Sequence, residues 1–249
     1  MARRPAVRHR VIVLGRTKLA EQDVIVTMLT SEGEQLRAVA KGGRKPGSRL
    51  AARTELFVEA DLLVSPGRGL GIITEGQIID AHASARTDVE RVAAASALCE
   101  VARLTCYEDM PDTFLHPVLS RALKACEQAV DRAHLDVAVA AYALKVLSHE
   151  GWRPVLNSCV ACGEPSPTRL CVRAGGALCE SCARDVEDAL PVSQNLLAWL
   201  EALIGLTFDD LLAAPVDDQT AFELLDTAHR WAATHLDARL RAMEFLRGL

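Results

Sequence analysis

The chain has 249 residues and a mass of 26.9 kDa; half its residues are apolar, 24% are charged, eight are cysteine, and the formal charge is −5. This composition excludes a mainly disordered chain, and the length predicts two or three compact units. The longest apolar run, residues 137–144, is far short of the ~20 residues that cross a bilayer, and the Val11–Leu14 run behind Arg3, Arg4, Arg8 and Arg10 is shorter than the ~7–15 of a secretory signal, so a cytoplasmic protein without a membrane partner is expected.

The mean charge conceals an asymmetry. Residues 1–53 carry twelve Lys and Arg against four acids, a net of +8, whereas the remaining 196 residues carry sixteen bases and twenty-nine acids, a net of −13. A basic end on an acidic chain points to a polyanion partner, the alternative being a solvated basic surface.

Strand signals crowd residues 10–80. The β-branched runs Val11–Leu14 and Val24–Val26 come first. The mixed run Leu36–Lys41 places Arg37 and Lys41 on the face of Val39, and residues 56–64 alternate apolar and polar positions. Ile72-Ile73 and Ile78-Ile79 flank a polar centre in a fifth run, and turn signals lie at residues 31–34 and 65–69. Five short strands in about 70 residues bury little as an open sheet, so a small closed barrel is expected, an OB-fold first and an SH3-like barrel second.

Between the third and fourth strands lies Lys41-Gly42-Gly43-Arg44-Lys45-Pro46-Gly47-Ser48-Arg49, a loop whose cations attract phosphate and whose glycines let backbone N–H groups approach an anion. It is not a Walker loop, because Ser48 stands where the lysine is required. Phe57 is the sole aromatic residue of the first 80. Single-strand binders that stack bases need several such platforms, so binding here must run through phosphates, with little sequence preference and tolerance of single and double strands.

From Asp88 onward the apolar period becomes helical. Val92, Ala95, Cys99, Ala102 and Cys106 share one face, Leu119, Leu123, Cys126 and Val130 the next, and residues 137–147 are apolar all round, as in a helix buried among others. Three further stretches follow, one from Leu196 to Thr207, one from Leu224 to His235 and one through Leu236, Leu240 and Met243, with breaks at Pro191 and Pro215. Cys99, Cys106 and Cys126 read as buried small hydrophobes.

The most specific motif is Cys159-Val160-Ala161-Cys162 followed after sixteen residues by Cys179-Glu180-Ser181-Cys182. This spacing fits a four-thiolate zinc site, with Gly163 and Gly175-Gly176 supplying the turns. Four thiolates leave the metal no open position, so one structural Zn2+ per chain is expected, with Cys171 a spare. Paired carboxylates, a nucleophile elbow and a Cys–His pair are not evident, and a non-enzymatic protein is expected. With Arg169 and Arg173 the only bases from Cys159 to Cys182, the finger reads as a packing element.

Several segments resemble the RecO family of bacterial recombination mediators. They include Val11–Leu14, Arg16-Thr17, Glu21-Gln22-Asp23, Val26–Thr30, the Leu36–Lys45 segment, Ser48-Arg49-Leu50, Thr74-Glu75, Ala93–Ser96, Gly151-Trp152-Arg153-Pro154 and both cysteine knuckles, in the family's order across the chain. Lys18-Leu19-Ala20 departs from the aromatic or glycine-containing turn the family often has there. The resemblance implies a multi-domain α+β protein. Its parts are an N-terminal five-stranded OB-fold over residues 1–80 and an α-helical domain over 81–249 with a four-cysteine zinc finger at 157–185. It also implies DNA repair and homologous recombination: binding of single- and double-stranded DNA, strand annealing, and help in loading RecA recombinase onto coated strands. The implied partners are RecR and the C-terminal tail of single-strand DNA-binding protein, and the implied location is the cytoplasm, at the nucleoid. Arg37, Lys41, Arg44, Lys45 and Arg49 are the expected core of the phosphate contacts, with Arg10, Arg16 and Lys18 assisting. Arg121 and Lys124 are candidates for the acidic, apolar-ended tail. Another OB-plus-zinc factor acting in transcription or translation is the rival reading, and a metal-dependent nuclease a more distant one.

Overall fold

A computed structural model describes residues 5–45, 47–67 and 69–249; the predicted features at Arg3, Arg4, Pro46 and Arg68 lie outside them. Chain contacts divide into two compact units, residues 1–127 and 128–249.

In the first unit, β1 (Val7–Lys18), β2 (Val24–Thr30), β3 (Gln35–Ala40), β4 (Glu59–Ser65) and β5 (Gly71–Asp80) close a barrel in the order β1-β2-β3-β5-β4. β1 pairs antiparallel with both β2 and β4, and β3 meets β5 in parallel, which is the OB arrangement. A barrel this small is filled by side chains, and its interior mixes Val11, Val26, Met28 and Leu62 with the small residues Ala38, Ala40 and Ala60. Alternation along β3 is as read: Ala38 and Ala40 point inward while Arg37 is exposed.

Two local features differ from the sequence reading. The strand expected from residue 56 begins at Glu59, because Phe57 adopts φ +72° and turns the chain. Its ring is 1% exposed, so the barrel's only aromatic side chain belongs to the core. Between β3 and β4 a short helix, α1 (Arg49–Arg53), was not foreseen; the Ser48 hydroxyl caps it by accepting from the Ala51 N–H.

After a 3-10 turn (Ala83–Arg86) come α2 (Val89–Thr105), capped by Asp88, and α3 (Leu115–Gln128). α2 packs on β1, where the Cys99 sulfur lies 4.0 Å from the Val13 carbonyl. Its buried face is wide and alanine-rich, but Val92, placed on that face by the period, is 37% exposed. Val130 also leaves its predicted stripe: α3 ends at Gln128, Asp131 caps the next helix, and Val130 between them is 78% exposed.

The second unit is built on α4 (Arg132–His149), buried almost all round as its composition demands. A small sheet follows, β6 (Arg169–Cys171), β7 (Gly176–Leu178) and β8 (Leu190–Pro191), in the order β7-β6-β8. α5 (Gln194–Gly205), α6 (Phe208–Ala213) and α7 (Asp218–His235) pack on α4, and α8 (Arg241–Arg247) packs on α7. The three periodic stretches place α5, α7 and α8, with shifts at their ends, and α6 was not foreseen: Thr207 caps it rather than closing α5, and Leu240 stands just before α8. No helix among the described residues is long and apolar enough to cross a membrane.

Candidate nucleic-acid interface and four-cysteine cluster

The eight cations predicted to contact phosphate fall into two groups. Arg10 Nε donates to Glu59 Oε1 at 2.7 Å, and the Glu59 carboxylate, 3% exposed, also accepts from the Ser120 hydroxyl at 3.2 Å. His116 lies 3.7 Å from the same carboxylate; burial pushes its imidazole below the usual histidine range, against the pull of Glu59. Glu59 therefore ties β1 and α3 to β4. Arg16 binds both Glu55 oxygens through one guanidinium nitrogen and the Gly43 carbonyl at 2.8 Å through the other. Both arginines are ion-paired to a glutamate, Arg16 mostly buried and Arg10 about half exposed.

Lys18, Arg37, Lys41, Arg44, Lys45 and Arg49 are exposed and form no ion pair among the described residues. Lys18 pairs in register with Val24, which pairs with Ala40, so Lys18 and the residue 41–49 loop share one end of the barrel. The loop is held from within. Gly42 N–H donates to Asp23 Oδ1 at 2.8 Å, Arg44 N–H to the Gln22 carbonyl at 3.0 Å, and Lys45 N–H to the Gly42 carbonyl at 3.0 Å. The N–H cradle expected from Gly42-Gly43 is thus already filled by Asp23 and the Ala40 carbonyl, and only the side-chain charges face outward. Arg44 donates to the Glu21 carbonyl at 3.2 Å, which fixes its position and leaves its charge intact.

Lys124 and Arg121 lie on α3. Lys124 Nζ is 3.1 Å from Glu127 and 3.9 Å from Asp80, which raises its ammonium pKa through the Glu127 bond first. Arg121 borders a 340 Å³ cavity with Arg10, Glu59, His116 and Ser120. Asp80, His82 and Glu127 are near enough to hold a cation, but the Lys124 ammonium supplies the positive charge there. Sequence reasoning missed Glu55 and Glu59, the two acids that decide which arginines are outward. Their partners are 39 and 49 residues away, and closure of the barrel, not local pattern, joins them.

In the second unit the sulfurs of Cys159, Cys162, Cys179 and Cys182 lie within 4.8 Å of one another, near enough to hold one metal ion. Gly163, at φ +78°, closes the first knuckle, with its N–H donating to the Cys159 carbonyl at 2.8 Å; Ala183 N–H does the same for Cys179 at 3.0 Å. Gly176 lets the second strand approach closely: a Cβ there would lie 2.2 Å from the Val155 carbonyl oxygen. Backbone N–H donors, that of Cys179 first, hold the Cys159 thiol down to about 6, whereas the hydrogen bond with Cys179 pushes Cys182 up to about 12. Without a cation the four sulfurs share protons; a dication takes the protons' place. Cys171 is buried, with its sulfur 3.7 Å from the Glu187 carbonyl, and stands outside the ligand set. Cys99 and Cys126 are inert core thiols, pushed up to about 12 by burial.

A five-stranded OB barrel with a basic end, joined in one chain to a helical unit holding a four-cysteine cluster, defines a two-unit protein of the OB-barrel class. Comparison with known proteins gives the family. Residues 1–82 match the family described as Recombination protein O N terminal, and residues 86–244 match Recombination protein O C terminal. Among relatives, the DNA repair protein RecO of Bifidobacterium longum subsp. infantis is 34% identical over 238 residues, covering 94% of this chain and 96% of the relative. That of Bifidobacterium adolescentis is 31% identical over 249 residues, covering 97% and 99%. The chain belongs to the RecO family.

Proposed function

We propose that this chain is a DNA repair and recombination mediator that grips DNA by its phosphates, anneals complementary strands and helps load recombinase onto coated single strands. The observation that carries this reading is that six of the eight predicted contacts are outward, unpaired cations while Phe57 is fully buried. The barrel can neutralise phosphates but, among the described residues of β1–β5, has no exposed aromatic ring on which bases stack. Screening the phosphates of two strands lowers their repulsion while leaving most Watson–Crick edges open to pair. Lys18, Arg37, Lys41, Arg44, Lys45 and Arg49 make the phosphate contacts, and Arg10 and Arg16 support the fold beneath them.

The four cysteines suit a structural Zn2+, since all-thiolate tetrahedral sites are typical of that ion and the 3.7 Å separation of the Cys162 and Cys179 sulfurs is what Zn–S bonds of about 2.3 Å require. The metal would tie the two knuckles into one small fold. Arg169 is bound at 3.0 Å to both oxygens of Glu180, and Arg173 lies 3.8 Å from Asp188, which supports a packing role for the finger over DNA contact. RecR, the tail of single-strand DNA-binding protein and, indirectly, RecA complete the proposed partners, with the nucleoid as the place of action.

The test is annealing of complementary strands coated with single-strand DNA-binding protein, with and without its tail. Acceleration that depends on the tail and is lost in R44A/K45A supports the reading; no acceleration on bare or coated strands refutes it.

A further inference from the structure

A cavity of 760 Å³ in the barrel unit opens beside the residue 41–49 loop and lies within the roughly 300–1,000 Å³ range of small-ligand sites. Its lining divides by chemistry. Val24, Leu56, Phe57 and Val92 are apolar, the exposed Lys18 and Arg44 are free cations, and Arg16 and Arg86 are cations held within the fold, Arg16 by Glu55. The floor is firm, with Val24 3% and Phe57 1% exposed, and Arg86 holds one side by donating to the Leu56 carbonyl at 2.7 Å and the Ala81 carbonyl at 2.6 Å.

We infer that this cavity receives one unstacked nucleobase of bound single-stranded DNA, with the flanking phosphates on Lys18 and Arg44. This rests on the proposed phosphate binding by the barrel and adds a base site to it. Three observations converge. The two free cations belong to the outward set, so a strand lying on them passes the cavity mouth. Over the buried Val24 and Phe57, the half-buried Leu56 and the exposed Val92 give a base face apolar contact beside the cations. Glu55, fixed by Arg16, is the one carboxylate in the lining, and its remaining lone pairs suit an exocyclic amine. Cytosine, whose amine donates to carboxylate, is therefore favoured over thymine, which has no such donor. Duplex DNA keeps its bases stacked and leaves the cavity empty while still meeting the cations.

The experiment measures binding of the full chain to oligo-dC, oligo-dT and an abasic deoxyribose-phosphate oligomer of equal length. The expected order is dC tightest, then dT, with the abasic strand about tenfold weaker than dC. Ala51→Phe and, independently, Val92→Phe fill the cavity from α1 and α2; each is expected to bring dC down to the abasic level. Val92 is 37% exposed, so its replacement does not enter a core. Equal binding of dC and abasic strands overturns the base site and leaves phosphate binding standing; failure of both to bind overturns phosphate binding and the base site together. A dC advantage undiminished in both filled variants, or an acidic apolar-ended peptide that loses affinity in Val92→Phe while dC does not, overturns the assignment of this cavity to a base.

Discussion

Salt dependence tests the division of the barrel's cations most directly. Each phosphate contact releases counterions, so log Kobs falls with log salt by about 0.7 per contact on a single strand. The six outward cations proposed as phosphate contacts give a slope of about −4. Counting Arg10 and Arg16 as well, as the sequence alone would suggest, gives about −6. A slope of −4 means an affinity loss of roughly 300-fold between 50 and 200 mM salt. The perturbation that separates the two counts is single substitution: Lys18→Ala or Lys45→Ala is expected to flatten the slope by about 0.7. Arg16→Ala, which removes a cation already neutralised by Glu55, is expected not to flatten it. Fluorescence anisotropy of a labelled oligonucleotide over a salt series reads all of these. A slope near zero would refute phosphate readout, and flattening by Arg16→Ala equal to that of Lys18→Ala would refute the partition.

Metal analysis is expected to find one zinc per chain, and Cys162→Ser to lose it. That variant should expose residues 157–185 to proteolysis while the barrel still binds DNA; a protected finger without metal would contradict the assignment. At the β2–β3 turn, Gly33 has φ +86°, and an added Cβ would lie 1.7 Å from the Asp112 backbone oxygen, so Gly33→Ala should lower unfolding stability by more than about 2 kcal/mol in urea titration, a loss below about 0.5 kcal/mol being incompatible with that packing. Asp88 and Asp131 cap α2 and α4, and the backbone N–H of Arg91 and the side chain of His134, respectively, are the first causes holding their carboxyls below 3.8. Because the folded pKa is the lower one, their contribution is whole above pH 3.8 and is lost as pH falls through the folded value. Asp131→Ala should therefore cost about 1 kcal/mol at pH 7 and much less near pH 2, read by thermal unfolding at both.

Much of this was legible in the chain. The five strand runs, the buried character of α4 and the paired CxxC knuckles follow from local period and spacing, because side-chain direction in a strand or helix is set by the backbone repeat and a knuckle is a local turn. Even there, the element ends moved. Phe57, read as a surface position of an alternating strand, turned inward, since its left-handed backbone breaks the period on which the reading depends. Val92 and Val130 left their stripes because burial is decided by what packs opposite, and a helix period carries no record of that.

By itself, the sequence determined that a basic β barrel precedes an acidic helical part and that four cysteines gather into one cluster. Only the tertiary structure decided which positive charges are available. Arg10 and Arg16 look like Lys18 and Arg44 along the chain, but barrel closure brings Glu59 and Glu55 against them, and a charge already paired with a carboxylate releases fewer counterions from DNA. The same closure sank the one aromatic ring into the core, and with it went surface stacking. What is left for a base is the cavity between β1, β2 and α2, which no run of residues announces because its walls come from separate segments of the chain.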